Sequence, residues 1–371
     1  MQAEAFAFAD DLGPARIVPV HEPSVGLRGT LVVDNVATGP SIGGLRMAPD
    51  VSTAECFRLA RAMTLKNAAA GLPHGGGKSV IYADPRQPRE AKERLVRAMA
   101  CALADCRDYI FGPDMGTDEG FMACVKAEIG RAVGLPRELG GIPLDELGAT
   151  GFGLLHATEV AAGYCDFELP GARVAVQGFG SVGMHAARFL AERGAVLVAA
   201  SDSRGGVADP KGLDVDALIR LKQAGRSVVE HPAGRKLGQD ELIDVECEIW
   251  IPAARPDVIR EDNAGRLRAR LVVSGANIPA TEGAEKQLHA RGILLVPDFI
   301  ANAGGVICAS MEYAGATETA AFQAIEEKIR ANTEQVLEDS KRRQVMPRQA
   351  ALDLATIRVR KAMGYRRWSI F

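Results

Sequence analysis

The feature that most constrains the fold is a glycine-rich turn placed directly after a short apolar strand. Residues 172–177 (ARVAVQ) are typical of a buried parallel strand, and they run straight into Gly178-Phe179-Gly180-Ser181-Val182-Gly183. A helical segment from about Met184 to Arg193 follows, and then a second apolar strand, Val196 to Ala200, which ends in Ser201-Asp202-Ser203. This order of strand, G-x-G-x-x-G turn, helix and strand with a terminal acid predicts a dinucleotide-binding unit.

Each glycine of this turn has a physical task in that interpretation. Gly178 permits the tight turn, Gly180 lets the backbone approach a diphosphate, and Gly183 allows close packing of helix on strand. The helix N-terminus then offers amide donors and a partial positive charge to the phosphates. Asp202, 24 residues after Gly178, is expected to accept hydrogen bonds from both ribose hydroxyls, which favours NAD. Arg204 lies close enough to offset that charge, so NADP stays open.

Further apolar strands after this unit predict a doubly wound α/β fold. They cover residues 248–251, 271–274 and 293–296, and each ends in a small or polar turn. Strands that alternate with helices form parallel sheets through right-handed crossovers, and ligands bind at the carboxyl ends of such strands. Besides the glycine turn, Asp202 and Ser203, we therefore expect Ala253 and Asn277 at the cofactor site.

The N-terminal part also alternates between strands and helices. Predicted strands cover 30–35, 79–83 and 109–112, and predicted helices begin near Ser52 and cover 91–104. Ser52 followed by Glu55 is a capping-box pattern, and Gly71 and Pro73 should end that first helix. The composition of 39–44 (GPSIGG) and of the triple glycine at 75–77 predicts loops.

Two lysines in this part indicate a site for a small carboxylate. Lys66 lies in an otherwise apolar helical segment, and Lys78 follows Gly75, Gly76 and Gly77. A lysine is costly to bury unless an anion meets it, and glycines let the backbone pass close to a ligand. The rival interpretation is the phosphate loop of ATPases. It requires a glycine separated by four residues from Gly77-Lys78-Ser79, and this chain has Leu72 at that position.

Composition excludes several other classes of protein. The 371 residues are enough for two domains, and a formal net charge of −3 gives no general attraction to nucleic acid or anionic membranes. The seven cysteines are scattered without a C-x-x-C pair, which indicates reduced thiols in a cytoplasm rather than a zinc site or disulfides. No metal site, secretory leader or membrane-spanning segment is predicted, and the basic helical C-terminus is interpreted as a solvated surface.

Seven segments together resemble the glutamate/leucine/phenylalanine/valine dehydrogenase family over nearly the whole chain. They are residues 43–47 (GGLRM), 66–78, 113–117 (PDMGT), 149–153 (ATGFG), 178–183, 275–277 (GAN) and 302–306 (NAGGV). The resemblance implies an L-amino acid dehydrogenase, which forms a 2-oxo acid and ammonia while a hydride passes to a nicotinamide. It implies a homo-oligomeric enzyme with a substrate and oligomerisation domain (1–145 plus about 330–371) and a Rossmann-type dinucleotide-binding domain (146–329).

The resemblance also implies roles for individual residues. Lys66 would bind the substrate α-carboxylate, and Lys78 would activate water and polarise the intermediate. Asp114 would exchange protons with the amino group. Asn277 would lie near the nicotinamide and the substrate, and Gly43 and Gly44 would line the substrate floor.

Substrate choice is where the chain departs from the glutamate-specific members. Those members carry a lysine before the Gly-Gly pair and a serine after Gly-Gly-Val, and here the positions are Ile42 and, counted from Val306, Ala309. Apolar residues there disfavour a buried glutamate carboxylate and favour a branched-chain or aromatic substrate. Other segments look closer to the glutamate branch, so glutamate remains the alternative. A nucleotide-binding sensor without turnover is the alternative of another class, although Lys66, Lys78 and Asp114 are all present.

Overall fold

A computed structural model describes residues 7–365 of the chain, which divide into two compact units. Of the described residues, the first unit comprises 7–143, 306–321 and 352–365, and the second comprises 144–305 and 322–351. The sequence analysis gives 1–145 and about 330–371 to the first domain and 146–329 to the second, whereas here 306–321 fall in the first unit and 330–351 in the second. Arg330 shows why, because its guanidinium pairs with Glu159 of the second unit at 2.5 Å.

The first unit is built on a mixed sheet in the order β1-β2-β4-β3-β5. Its strands are β1 (Arg16–Glu22), β2 (Leu27–Asn35), β3 (Ser41–Met47), β4 (Gly75–Ile81) and β5 (Tyr109–Pro113). β2 pairs antiparallel with β1 and β4, and β3 pairs parallel with β4 and β5. The parallel half therefore places the carboxyl ends of three strands at one edge.

Helices cover both faces of this sheet. They are α1 (Thr53–Ala69), α2 (Arg89–Ala102) and α3 (Glu119–Ile129). The α1 helix starts where the capping pattern predicts, with the Glu55 amide donating to Ser52 Oγ at 3.1 Å. At its other end, Arg358 donates to the carbonyls of Ala68 and Ala69 at 3.2 and 2.5 Å.

The sheet separates an apolar core from a face that carries polar groups. Successive residues of a strand point to opposite faces. Leu45 and Met47 of β3 enter the core cluster with α2 and α3, so Gly44 and Arg46 face the other way. On β4, Gly76 and Lys78 share a face.

Two predicted loops are strands instead. Residues 41–47 form β3, and the triple glycine lies inside β4, fully buried. The glycines serve close packing rather than turning: a Cβ on Gly43 would lie 1.8 Å from the Gly77 carbonyl oxygen, and one on Gly76 would lie 2.0 Å from the Thr64 amide nitrogen. The α1 helix thus lies directly on the β4 face that carries Lys78.

The second unit contains a sheet in the order β12-β11-β10-β6-β7-β8-β9. Its strands are β6 (Arg173–Gln177), β7 (Val196–Asp202), β8 (Gly205–Ala208), β9 (Arg235–Leu237), β10 (Ile249–Pro252), β11 (Leu271–Val273) and β12 (Leu294–Val296). The strands from β12 to β7 are parallel, as predicted, while β8 and β9 add antiparallel to the edge. The sequence analysis missed these two short edge strands.

The other α-helices of the described chain lie between residues 144 and 365. They are α4 (Leu144–Leu147), α5 (Ala149–Ala162), α6 (Ser181–Glu192), α7 (Val215–Gln223), α8 (Glu282–Ala290), α9 (Asp298–Ala301), α10 (Gly304–Tyr313), α11 (Glu318–Arg343) and α12 (Pro347–Tyr365). Across residues 7–365, no helix has the length and apolar character that a membrane span requires. The same residues contain no group of three or more His, Cys, Asp or Glu side chains arranged to hold a metal.

Candidate active site

A buried lysine in the middle of β4 meets a carboxylate that follows the end of β5. The Lys78 side chain is 8% exposed, and its Nζ donates to Oδ2 of Asp114, the residue that directly follows β5. Gly44 of β3 lies between them, since a Cβ there would approach Lys78 Nζ to 3.1 Å and Asp114 Cβ to 2.7 Å. The absence of a side chain at Gly44 therefore makes the pair geometrically feasible.

The electrostatic state of this pair is set by its neighbours. Burial alone would raise the pKa of the Asp114 carboxyl, but the charge and hydrogen bond of Lys78, and then the charge of Arg46, hold that pKa below its usual value. A carboxylate whose pKa is lowered in the folded state stabilises the fold above its unfolded pKa. That stabilisation is lost as the pH falls through the lowered pKa. At neutral pH the Asp114 carboxyl is therefore ionised where it contacts Lys78.

Arg46 is a site residue that the sequence analysis did not assign. Its Nε lies 3.3 Å from Asp114 Oδ2, and its Nη1 lies 3.2 Å from Oε1 of Glu55 in the first turn of α1. The signal was available in the strand period: Arg46 is two residues from Gly44, so both point to the same face. It was missed because the preceding residues were taken as a loop.

Lys66 lies half-buried in the last turn of α1. Its helix packs on β4 through the contact between Thr64 and Gly76. Lys66 and Lys78 therefore belong to two elements in direct contact, each two residues beyond that point. The predicted role of Lys66 as the carboxylate ligand stays a prediction.

The residues assigned to the substrate side chain form an apolar group. Ile42 and Ala309 pack with Ile110 and Val133 in one small buried cluster, hereafter the apolar cluster. Ile42 lies on the same face of β3 as Gly44, by the two-residue period. Val306 is half-buried in α10. Of the predicted floor glycines, Gly44 borders the Lys78–Asp114 pair.

Gly43 has a different environment from Gly44. Its position is packed against the Gly77 backbone, and its carbonyl accepts the Tyr109 hydroxyl at 2.8 Å. Tyr109 is fully buried and also lies 3.0 Å from Ser79 Oγ. Gly43 thus secures the packing of β3 on its two neighbours.

The glycine turn of the second unit has the geometry of a phosphate cradle. Gly178 has φ +95°, and a Cβ on Gly183 would lie 2.0 Å from the Gly178 carbonyl oxygen. Gly180 caps α6, which begins at Ser181, and a Cβ on Gly180 would meet nothing within 4 Å. The turn is tight, the helix lies close to the strand, and the open space is in front of the helix N-terminus. Phe179 is fully buried and Val182 is half-buried.

A cavity of about 520 Å³ adjoins this turn. Its walls include the first glycines of the turn, the end of β7 with Asp202 and Ser203, and Ala253 after β10. The Ala253 amide donates to the Gln177 carbonyl at 2.7 Å, which joins the ends of β10 and β6. Six of the ten predicted cofactor residues line this cavity. The other four, Ser181, Val182, Gly183 and Asn277, are not part of its lining.

Asp202 makes hydrogen bonds to protein groups that the sequence does not indicate. Its carboxylate accepts four protein hydrogen bonds, from the Arg204 and Val228 amides, Lys222 Nζ and Ser227 Oγ, at 2.8 to 3.0 Å. Burial would raise its pKa, but the Lys222 hydrogen bond and the other donors lower it. A carboxylate has about four acceptor positions. The ribose hydroxyls of a bound dinucleotide would therefore share the carboxylate oxygens of Asp202 with these protein donors.

Asn277 is exposed in the turn that follows β11. Its Oδ1 accepts from Asn302 Nδ2 at 3.0 Å, and the same amide group donates to the Gly275 carbonyl at 3.2 Å. Asn302 belongs to residues 302–306, one of the segments that carry the family resemblance, but the sequence analysis assigns it no role. It cross-links the turn to the end of α9.

Comparison with known proteins decides the family. Residues 14–131 match the family described as Glu/Leu/Phe/Val dehydrogenase, dimerisation domain, and residues 140–367 match Glutamate/Leucine/Phenylalanine/Valine dehydrogenase. The chain belongs to the glutamate/leucine/phenylalanine/valine dehydrogenase family. This confirms the resemblance and the two-domain α/β organisation predicted from the sequence, and the protein is an amino acid dehydrogenase.

Several members of this dehydrogenase family are similar over most of the chain. The glutamate dehydrogenase of Aeropyrum pernix is 38% identical over 358 residues, which are 90% of this chain and 85% of that protein. The NAD-specific glutamate dehydrogenase of Staphylococcus aureus is 36% identical over 355 residues, with the same two coverages. The solved hetero-hexameric glutamate dehydrogenase of Thermus thermophilus, in a leucine-bound form, has a TM-score of 0.84 at 30% identity. It covers 96% of this chain and 91% of its own.

Proposed function

We propose that this dehydrogenase catalyses the reversible NAD(P)-dependent oxidative deamination of an L-amino acid with an apolar side chain. The observation that carries the chemistry is the buried pair of Lys78 and Asp114 beside the empty position at Gly44. A cation and an ionised acid held against each other provide a proton acceptor and a group that stabilises developing negative charge.

The roles follow from the chemistry of the reaction. The Lys66 ammonium pairs with the α-carboxylate of the substrate. Asp114 takes a proton from the substrate amino group, so that its lone pair can form the iminium as hydride leaves Cα. Lys78 orients the water that attacks the iminium carbon. The amine form of Lys78, which results when the ammonium gives its proton to solvent, accepts the proton of that water, and the resulting carbinolamine collapses to the 2-oxo acid and ammonia.

The second unit fits a dinucleotide. A Cβ at Gly183 has no room, while the position at Gly180 is open in front of the N-terminus of α6, which suits a diphosphate. When bound, the nicotinamide supplies the hydride acceptor. Asp202 favours NAD by its charge, and the S. aureus relative is named NAD-specific. Lys222, at 2.9 Å, offsets that charge and keeps NADP within the proposal.

The apolar cluster supports the side-chain class. A γ-carboxylate placed against Ile42 and Ala309 would lose its hydration without gaining a partner from either. Burying an unpaired ion costs on the order of several kcal/mol, whereas an aliphatic or aromatic side chain gains from the same contacts.

Glutamate is the second candidate substrate. It is favoured by the names of the relatives, since proteins 36% and 38% identical to this chain are named glutamate dehydrogenase. Lys66 and Lys78 do not separate the two candidates, because every L-amino acid presents the same α-carboxylate and amino group.

A panel of L-amino acids tests the proposal. We expect NADH or NADPH formation, followed at 340 nm, with leucine, valine or phenylalanine at a kcat/KM at least tenfold above that for glutamate. Glutamate as the best substrate would replace the apolar proposal with the second candidate. Tight NAD binding without turnover of any amino acid would instead indicate a nucleotide-binding sensor.

Substitution of two residues of the site should invert the preference. Ile42→Lys combined with Ala309→Ser supplies a cation and a hydroxyl where the side chain is expected to lie. We predict that the double variant loses activity on the best apolar substrate and gains at least tenfold in the ratio of kcat/KM for glutamate to that for the apolar substrate. An unchanged ratio would contradict the placement of the substrate side chain against these residues.

Assembly and location belong to the same proposal. Residues 14–131 match a dimerisation domain, and we propose a cytoplasmic homo-oligomer that acts on small molecules, without nucleic acid or membrane partners. Light scattering of the purified protein gives its molar mass directly.

A further inference from the structure

The turn after β11 contains the most strained backbone near the proposed cofactor site. Ile278 has φ +48° although it is β-branched, and its side chain is 55% exposed. A β-branched residue rarely adopts this left-handed conformation, and it persists only when surrounding contacts enforce it. The residue directly before it is Asn277, which the family resemblance places near the nicotinamide.

A buried carboxylate enforces this conformation. The Ile278 amide donates to Asp298 Oδ2 at 2.9 Å, and Asp298 is 5% exposed. Other contacts hold the flanks of the turn: the Gly275 and Ala276 amides both donate to the Pro252 carbonyl, at 3.0 and 2.7 Å. The Ile278 carbonyl accepts from the Asp257 amide at 2.9 Å, so Asp298 is the contact on the amide side of the strained residue.

Asp298 is in turn held by an ion-pair network. Arg348, near the start of α12, makes a forked contact with Glu285, with Nε at 2.7 and 2.8 Å from its two carboxylate oxygens. Arg348 Nη2 lies 3.0 Å from Asp298 Oδ1, close enough for an ion pair but not aligned as a hydrogen bond. Glu285 and Asp298 are both buried, and this arginine lies against both carboxyl groups.

We propose that Asp298 is a positioning residue, which acts through the Ile278 amide to hold the left-handed turn that presents Asn277. Glu285 holds the Arg348 guanidinium, which lies against Oδ1 of Asp298 and leaves Oδ2 for that amide. The proposal rests on the proposed function, because it gives Asn277 its place beside the reacting groups. Without the Asp298 acceptor, Ile278 relaxes to a negative φ and Asn277 leaves its position.

Glycine at position 278 provides the decisive test, because glycine adopts positive φ without strain. We expect Asp298→Ala to lower kcat about tenfold or more, since the strained turn becomes a minor conformer. The variant Ile278→Gly alone should keep kcat within about threefold of the wild type. In the double variant Asp298→Ala/Ile278→Gly, kcat should recover most of the loss, while the melting temperature stays low.

Two further variants separate positioning from stability. Asp298→Asn keeps an oxygen for the Ile278 amide but removes the charge opposite Arg348, so its kcat should stay near the wild type while its melting temperature falls. It also serves if Asp298→Ala does not fold. Gln344→Gly is the matched control, because Gln344 also has positive φ, at +53°, in a different turn. It should leave kcat unchanged in either background.

Hydrogen exchange supplies a readout that needs no turnover. The peptide that covers residues 274–279 should exchange faster in Asp298→Ala and regain its wild-type rate in Asp298→Asn. Normal kcat in Asp298→Ala, or a loss that Ile278→Gly does not restore, would overturn the proposal. Failure of the wild type to turn over any amino acid concerns the proposed function instead, and the exchange experiment still decides the role of Asp298.

Discussion

At the scale of single residues, the proposed active site depends on ion pairs between side chains that are largely shielded from solvent. Lys78 and Asp114 are in direct contact, and Arg46 links Asp114 to Glu55 at the start of α1. Arg46 does not replace Lys78 as partner, because it contributes less to the lowered pKa of Asp114 than Lys78 does. Its contribution is to keep the carboxylate ionised and turned toward the lysine, which makes it a positioning residue.

The pH profile of Arg46→Ala checks this role. Removing the guanidinium takes away one charge that lowers the pKa of Asp114, so that pKa should rise. We predict that the acidic limb of kcat/KM moves to higher pH and that the plateau falls about tenfold. Arg46→Lys retains the charge without the fork that also reaches Glu55, and its acidic limb should move less. An acidic limb unchanged in Arg46→Ala would show that Asp114 does not control it.

At the scale of elements, glycines decide how closely α1 and the sheet approach each other. Gly76 has no space for a Cβ because the Thr64 backbone is 2.0 Å from where that atom would lie. Backbone, unlike a flexible side chain, cannot move away cheaply. The separation of α1 from β4, and with it the relation of Lys66 to Lys78, is therefore fixed by the main chain.

Gly76→Ala should be among the most destabilising single methyl additions in the chain. We predict a loss of about 3 kcal/mol or more in the free energy of unfolding, measured by urea denaturation. Gly112→Ala on β5 is the matched control, since its Cβ would meet Val133 at an ordinary 3.5 Å. It should cost much less. Equal losses in the two variants would contradict the packing argument.

The sequence predicts secondary structure best where residues close together in the chain determine it. The start of α1 follows from Ser52 and Glu55, and the cradle follows from a turn in its full strand–helix context. The glycine-rich composition of residues 39–44 and 75–77 predicts loops, but residues 41–44 lie in β3 and residues 75–77 lie in β4. Composition indicates a flexible backbone, but it does not show which neighbouring backbone packs against the glycines. The pairing of Lys78 with Asp114 was expected only through the family resemblance, since the two residues are far apart in the chain.

The engagement of Asp202 could not have been predicted from local sequence. Its donors Lys222 and Ser227 come from the end of α7 and the turn after it, and only the fold places them there. The same holds for Arg348, which is distant in sequence from the turn that it supports. Side chains that meet through tertiary structure leave no periodic signal.

At the scale of the whole molecule, the two predicted binding functions belong to separate units. Lys78, Asp114 and the apolar cluster lie in residues of the first unit, and the glycine turn with its cavity lies in the second. Each unit has its own buried core. A lesion in one unit is therefore expected to leave the ligand affinity of the other intact.

A pair of variants tests that independence. Lys78→Ala should abolish turnover, by at least a thousandfold, while the Kd for NAD, measured by fluorescence quenching, stays within about twofold of the wild type. Gly180→Ala should raise that Kd about tenfold or more, because its methyl group enters the space before the α6 N-terminus, with an unchanged melting temperature. Turnover retained by Lys78→Ala would refute its catalytic role.

The carboxyl end of α1 is contacted by a residue of the last described helix, α12, so removal of α12 would affect it. Carbonyl groups at a helix end carry partial negative charge, which would weaken the attraction of Lys66 for an anionic ligand one turn away. Arg358 covers the carbonyls of Ala68 and Ala69 with a full positive charge. The last helix therefore contributes to the electrostatic potential at Lys66, a proposed ligand residue nearly 300 residues earlier. Shortened forms that lack this helix would lose affinity for the amino acid even if the sheet folds.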